Sequence, residues 1–337
     1  MRRKGPEWAE RIAPAHRPGK HGTFDGVRTA SPKPGAAYRY QRPTWRRPLI
    51  VLIVIAALLG VGAVVAYNAY QRFMVQVLTV PGCQAGTGQN AIPLDFGQAA
   101  DAATVAAVAA RDRLPARALT IAYATAFQES KLENLSYGDR DSVGIFQQRP
   151  SQGWGSAAHL QDPAYATQAF FGALVKVPHW ATIPVSQAAQ AVQHSADGTA
   201  YQQYAQTGAQ LAADFSTKAH AVTCWYSPSA QAADENISLR LNLTGALKGV
   251  SDAFGPTGPG KVVTRITRST SGKSSGASVV LRPATGEGWT VANWLVTHAS
   301  SYGITQVSYA GYKWKAVLSE TSWQSDPSSG AGGIVAS

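Results

Sequence analysis

Apolar positions fall into three regimes along this chain. Leu49 to Ala66 carries no charge and few polar groups, and with Tyr67 and Tyr70 at its far edge it reaches roughly the 20 residues a bilayer requires. From Gln98 to Lys218 the apolar residues recur at helical spacing. Gln98–Arg113 is Ala-rich and stops at Leu114-Pro115, where proline ends the pattern. Arg117–Ser130 has no charged residue between Arg117 and Glu129, and a helix apolar on nearly every face is a buried one. Asp162-Pro163 predicts an N-cap followed by proline at the first helical position, opening a helix that carries Tyr165, Phe170, Phe171 and Leu174. Ser186–His194 and Tyr201–Lys218 predict two more helices. Beyond residue 277 the period shortens. Ser278–Arg282 reads as a strand, Trp289–Ser301 as an amphipathic helix ended by Gly303, and Ile304–Tyr309 with Tyr312–Val317 as an alternating hairpin.

These elements predict a layout. Residues 1–48 form a disordered basic tail, 49–70 a transmembrane helix and 71–91 a spacer. Residues 92–225 form an all-α domain. Residues 226–277 are a Ser, Thr, Gly and Ala-rich linker with a short helix near Leu243–Phe254. Residues 278–325 form a small α/β domain, and 326–337 a disordered tail.

Charge changes the picture once it is placed. The net charge of +11 sits mostly in residues 1–48, which hold 12 Lys and Arg against 3 acids, whereas the remainder holds 18 against 16. The folded part therefore gives no basis for nucleic-acid binding. Arg46 and Arg47 at the start of the apolar run are expected to keep the tail in the cytoplasm and send the C-terminal bulk outside the plasma membrane. A cleaved signal peptide is the competing reading, but the basic region and the apolar run are both too long for an ordinary one. Two cysteines, Cys83 and Cys224, both follow the apolar run. Two thiols cannot make a four-cysteine zinc site. In an oxidising exterior they are expected to pair; two free thiols are the alternative. His179, His194 and His298 are too scattered for metal-ligand spacing, and no phosphate loop or serine elbow is present, so no metal or cofactor is expected.

The candidate chemistry lies in Phe127-Gln-Glu129-Ser130 and the loop that follows. Glu129 ends a buried helix, so desolvation and the negative end of the helix dipole both favour its protonated form, with Lys131 as a partial offset. A carboxyl group that keeps its proton is what a general acid for a glycosidic oxygen must be. The plain alternative is a surface glutamate in the last turn of an ordinary helix. Gly138-Asp139-Arg140-Asp141 is a turn carrying two carboxylates. Gly144 allows close backbone approach to a ligand. Gln147 and Gln148 offer amides suited to sugar hydroxyls and N-acetyl groups, and Trp154 a flat face on which pyranose rings stack.

Glu129-Ser130 followed by Gly144-Ile145-Phe146-Gln147 resembles the Glu-Ser … Gly-Leu-Met-Gln signature of goose-type lysozymes and soluble-type lytic transglycosylases, and Gly138-Asp139-Arg140 resembles the Gly-Asp-Arg of the goose-type enzymes. The resemblance covers about residues 92–218. It implies the lysozyme-like all-α fold and cleavage of the β-1,4 bond between N-acetylmuramic acid and N-acetylglucosamine in peptidoglycan. By position, Glu129 would be the catalytic acid and Asp139 a water-positioning carboxylate. Gly144 and Gln147 would line the saccharide cleft, and Ser130, Gln148 and Trp154 are taken with them as candidate substrate-binding residues. Two departures stand out. Arg149 occupies the position where goose-type enzymes often carry a second aspartate. The late Ala-Tyr-Asn-Ala-Gly run of transglycosylases has its nearest match in Ala191-Val-Gln193-His194-Ser195-Ala196, without a tyrosine. Gly288–Trp314 resembles the end of a domain found on actinobacterial cell-wall-associated proteins, lacking the metal motif of fuller versions, so only a binding or positioning role is expected there. The implied partners are peptidoglycan strands and the membrane, with secretion or conjugation machinery as a candidate. The rival reading is a catalytically inactive wall-binding or structural subunit of an envelope-spanning apparatus.

Overall fold

A computed structural model describes residues 46–78, 80–195, 198–228, 241–255, 263–269, 276–330 and 332–337. The basic stretch before Arg46, with its expected disorder, lies outside the described residues. The chain divides within its first helix into two units, residues 1–62 and 63–337.

That helix, α1, spans Arg46–Leu78. Within it Ile50–Tyr70 has a mean hydropathy of 2.8 and is long and apolar enough to cross a membrane. Its apolar side chains are exposed, Leu59 at 69%, a state that water penalises and hydrocarbon does not. The spacer expected over 71–91 is corrected. Helix continues to Leu78, and strand β1 spans Gly82–Ala85.

The rest of the second unit is built around α2 (Phe96–Arg111) and α3 (Ala116–Ser130). α2 starts where Asp95 and Gln98 satisfy each other's backbone N–H groups in a reciprocal cap, at 2.7 and 2.9 Å. Its run of buried alanines lets neighbours approach on several sides. α5 (Pro163–Leu174), α7 (Ala205–Ser216), α8 (Leu243–Phe254) and α9 (Gly288–Thr297) all pack on it. α3 lies tightly on α7, because a Cβ at Gly208 would meet Thr120 O at 2.5 Å. Two shorter helices, α4 (Ala157–Leu160) and α6 (Val185–Gln193), complete this part.

It is not wholly helical, which corrects the all-α expectation. β1 is the centre of a three-stranded antiparallel sheet between β2 (Ile92–Leu94) and β3 (Val222–Trp225). Cys83 stands opposite Cys224 in the β1–β3 register and is disulfide-bonded to it across 141 residues. Both strands are too short to show a period of their own, and their alignment is held by the cross-link.

The C-terminal strands form a second antiparallel sheet of order β4-β5-β9-β6-β7-β8. These are β4 (Val263–Ser269), β5 (Gly276–Arg282), β6 (Gln306–Tyr309), β7 (Tyr312–Lys315), β8 (Gln324–Ser325) and β9 (Ile334–Ala336). The expected hairpin is present. Ala310 and Gly311 both take positive φ, 49° and 85°, as a two-residue turn between twisted strands requires. The expected helix over Trp289–Ser301 is broken at His298 into α9 and a short α10 (Ala299–Tyr302). Two other expectations are corrected. The tail from Asp326 is not wholly irregular, because Ile334–Ala336 pairs with β5 on one side and β6 on the other. The stretch 226–277, expected as a linker, contributes α8, as anticipated, and also β4.

Nor do residues 278–325 stand apart. Trp314 Nε1 donates to Cys224 O and Trp323 Nε1 to Val222 O, each at 2.8 Å. Tyr226 OH donates to Ile304 O at 2.9 Å. Asn293 Nδ2, fully buried, donates to Asp214 O at 3.2 Å. One continuous set of buried side chains runs through both parts.

Candidate functional site

Glu129 is the penultimate residue of α3. The helix stops because Lys131 and Leu132 turn to positive φ, 59° and 66°. Ser130 fixes the geometry of that end. It is buried, and its hydroxyl contacts Ala126 O at 3.2 Å and Ile145 O at 2.8 Å, so it ties the helix to the following loop. Ser130 is therefore a structural tie, outside the groove described below. Lys131, expected beside the acid, is engaged elsewhere: its ammonium donates to Phe127 O and to Tyr204 OH and lies 4.4 Å from the Tyr204 ring centroid.

The loop 138–148 folds back on itself. Val143 and Gln148 exchange backbone hydrogen bonds at 3.0 and 3.1 Å, and Phe146 inserts into the core, stacked on Phe170 with centroids 4.5 Å apart. Gly144 (φ 79°) is required here by protein packing. A Cβ would meet Leu160 O at 2.3 Å, and its N–H donates to Leu135 O at 2.7 Å. Asp141 is clamped by Arg149 Nε at 2.8 Å and by Ser151 N at 2.7 Å. The Arg149 and Ser151 hydrogen bonds hold its carboxyl well below the usual carboxylate range. Arg149 thus braces the loop.

Glu129 is half-buried on one side of a groove of about 560 Å³. Gln147, Gln148, Trp154 and Gln193 line the same groove. Two donors converge on one oxygen of the acid. Tyr201 OH lies 2.6 Å from Glu129 Oε1, and Gln193 Nε2 lies 3.2 Å from the same atom while donating to Phe146 O at 2.7 Å. Burial, and next the hydrogen bond to Glu129, push the Tyr201 phenol well above its ordinary range, so it stays a donor. Gln147 spends its own amide on Tyr137 O and Gly144 O at 3.3 and 3.1 Å. Gln148 donates to Ala166 O at 3.3 Å. The carbonyl oxygens of Gln148 and Gln193 are buried without a partner among the described residues, a condition that water or a ligand ordinarily relieves.

The structure thus brings Glu129, Asp139, Gln147, Gln148 and Trp154 to one groove, and leaves Ser130 and Gly144 as its scaffold. Asp139 lines the groove with its side chain 92% exposed, its carboxylate 4.0 Å from Arg140 Nε. Tyr201 and Gln193 were not marked as partners of the acid by sequence. Tyr201 reaches it from a 3-10 turn over Gly198–Tyr204, 72 residues away, and Gln193 from the end of α6, 64 residues away. The only signal was that Tyr201 follows a helix whose end carries Gln193.

Chemically, the site offers one carboxyl group held by two donors, beside amides and one indole. Among the described residues no group of three or more His, Cys, Asp or Glu could hold a metal ion. No protein-family model matches the chain, and no curated protein matches it.

Proposed function

We propose that this chain is a membrane-anchored enzyme that cuts the β-1,4 bond between N-acetylmuramic acid and N-acetylglucosamine in peptidoglycan. The observation that carries the proposal is the pose of Glu129: half-buried at an amide- and tryptophan-lined groove, one oxygen fixed by Tyr201 and Gln193. The resemblance of its flanking motifs to goose-type lysozymes and soluble-type transglycosylases supports the same reading and supplies the substrate class. The anchor is α1. A basic segment before it and a disulfide after it support an inside tail and a folded unit at the wall. Local opening of the wall for growth, secretion or DNA transfer is the task this placement suits, with secretion or conjugation machinery as partner.

In the proposed reaction Glu129 gives its proton to the glycosidic oxygen as the C1–O bond breaks through an oxocarbenium-like state. Tyr201 and Gln193 then stabilise the carboxylate that remains. An inverting hydrolase needs a second carboxylate that holds water on the opposite face. Asp139 is too exposed for that task. We therefore favour capture of C1 by the substrate's own 6-hydroxyl, whose proton returns to Glu129. No water is consumed, and the product is a 1,6-anhydro sugar.

Incubation of the full-length protein with purified peptidoglycan, followed by mass analysis of released fragments, tests this. Anhydro-muramyl ends, one water lighter than hydrolysed ends, are expected. Hydrolysed ends would overturn the internal capture. Retention of the protein on the wall with no released fragment would leave the binding-module reading.

A further inference from the structure

A second cleft, of about 740 Å³, opens between α2, α5 and α8. Its walls carry Arg111 from α2, Asp162 and Tyr165 from the start of α5, and Lys248 and Asp252 from α8. α8 belongs to the stretch that sequence places in a linker, so this cleft exists only because that stretch packs on the helical part. Two features give it chemistry. Arg111 is partly spent: Nε pairs with Asp112 Oδ1 at 3.0 Å, while Nη2 is buried and has no hydrogen-bond partner among the described residues. A guanidinium N–H in that state wants an anionic acceptor. Opposite it, Lys248 Nζ and Asp252 Oδ2 lie 2.5 Å apart with side chains 77% and 57% exposed, and Asp162 adds a second carboxylate. A wall with both signs of charge does not select a neutral sugar or a uniformly anionic polymer. It fits a short chain that carries carboxylates and an amine together.

The cleft adjoins the Glu129 groove. Trp154 lines the groove, and its carbonyl accepts a hydrogen bond from Tyr165 OH, at 3.3 Å; Tyr165 lines the cleft. Gly155, between them, packs so closely on the Tyr165 ring that a Cβ would meet its hydroxyl at 2.6 Å. Trp154 and Tyr165 thus join one wall of the groove to one wall of the cleft. We propose that this cleft seats the peptide stem of peptidoglycan, a short peptide bearing free carboxylates and a diamino-acid amine, while the sugars that carry it lie in the groove. The proposal rests on the glycan-cutting reading of that groove. A stem carboxylate lies against the partly exposed Arg111 side chain, which turns Nη2 outward to meet it, and Asp162 and Asp252 take the amine as Lys248 turns to a second carboxylate. The cleft would make the enzyme prefer glycan that still carries its stems.

The test uses the full-length chain and two readouts. The first compares cleavage rates on peptidoglycan with intact stems and on the same glycan after enzymatic removal of the stems. The second titrates a free stem tripeptide, containing a diamino acid, into the Glu129→Gln protein. Stem-bearing glycan is expected to be cut about tenfold faster, the scale of one charge-assisted hydrogen bond. Arg111→Gln and the exposed Lys248→Gln should each bring the ratio of the two rates toward one and weaken tripeptide binding. Equal wild-type rates, or tripeptide affinity indifferent to both substitutions, overturn the cleft and leave the groove reading standing. Tripeptide binding that both substitutions weaken, with no glycan cut at all, overturns the groove reading and leaves the cleft.

Discussion

Trp314 is the sharpest probe of how the two parts of the folded unit depend on each other. It is fully buried in β7, and its indole N–H reaches the carbonyl of the disulfide-bonded Cys224. Trp314→Ala removes a large aromatic from a packed core, which costs about 3–5 kcal/mol. Loss of the donor to Cys224 O adds about 1–3 kcal/mol. In a unit of this size each kcal/mol moves the melting temperature by about 2–4 °C, so a fall on the order of 8–32 °C is expected. Trp314→Phe keeps most of the ring and should lose only about 1–3 kcal/mol. The assay is hydrogen exchange of the full chain in detergent during a thermal ramp. Amides of α3, in the groove half, and of β6 and β7 should lose protection together in the variant. If β6 and β7 open in Trp314→Ala while α3 keeps its wild-type protection and melting temperature, the shared core is refuted and residues 278–325 behave as a tethered, separate domain.

Three further outcomes are expected. Tyr201→Phe removes a donor from the carboxylate that forms on proton transfer, so kcat/KM on peptidoglycan should fall about tenfold to a hundredfold with little change in wall binding, as measured by co-sedimentation. Gly144→Ala forces a Cβ against Leu160 O and holds a positive φ, so its melting temperature should fall, and exchange should rise first in residues 138–148. Asp101 is buried on α2, and desolvation, with help from Asp95, pushes its carboxyl up to about 8. The unfolded chain releases that proton near the ordinary carboxylate range while the folded one keeps it. Stability is therefore fully present below pH 4 and falls as pH rises toward 8. Asp101→Asn should raise the melting temperature at pH 7.5 and lose that advantage at pH 4; an equal gain at both would contradict the burial argument.

Much of the helical framework was legible because it rests on local signals. The Asp162-Pro163 start and the break at Leu114-Pro115 all appear within a residue or two of where spacing put them. The strands were legible only where alternation ran long enough, as in Ser278–Arg282 and around Gly311. Gly82–Ala85 and Ile334–Ala336 are too short to carry a period, and their strand character comes from pairing partners elsewhere in the chain, β2 and β3 for the first and β5 and β6 for the second. Glu129 was visible because a buried helix rarely ends in an acid beside a Gly-rich loop. Gly144 was visible as special, but the constraint the structure shows there, Leu160 O, lies 16 residues on and has no local signal. Tyr201 was invisible as the partner of the acid, because no sequence spacing encodes a contact across 72 residues. The same holds for the union of the two halves, which depends on indole and amide donors reaching carbonyls of β3 and α7.

The most direct test of the central claim sets wild-type protein beside Glu129→Gln on insoluble peptidoglycan, with soluble muropeptides quantified by mass spectrometry. The substitution keeps the shape of the side chain and its acceptor for Tyr201 but removes the transferable proton. The wild type should release anhydro-ended fragments, and Glu129→Gln should bind the wall and release none. Fragment release by Glu129→Gln at the wild-type rate would contradict the account.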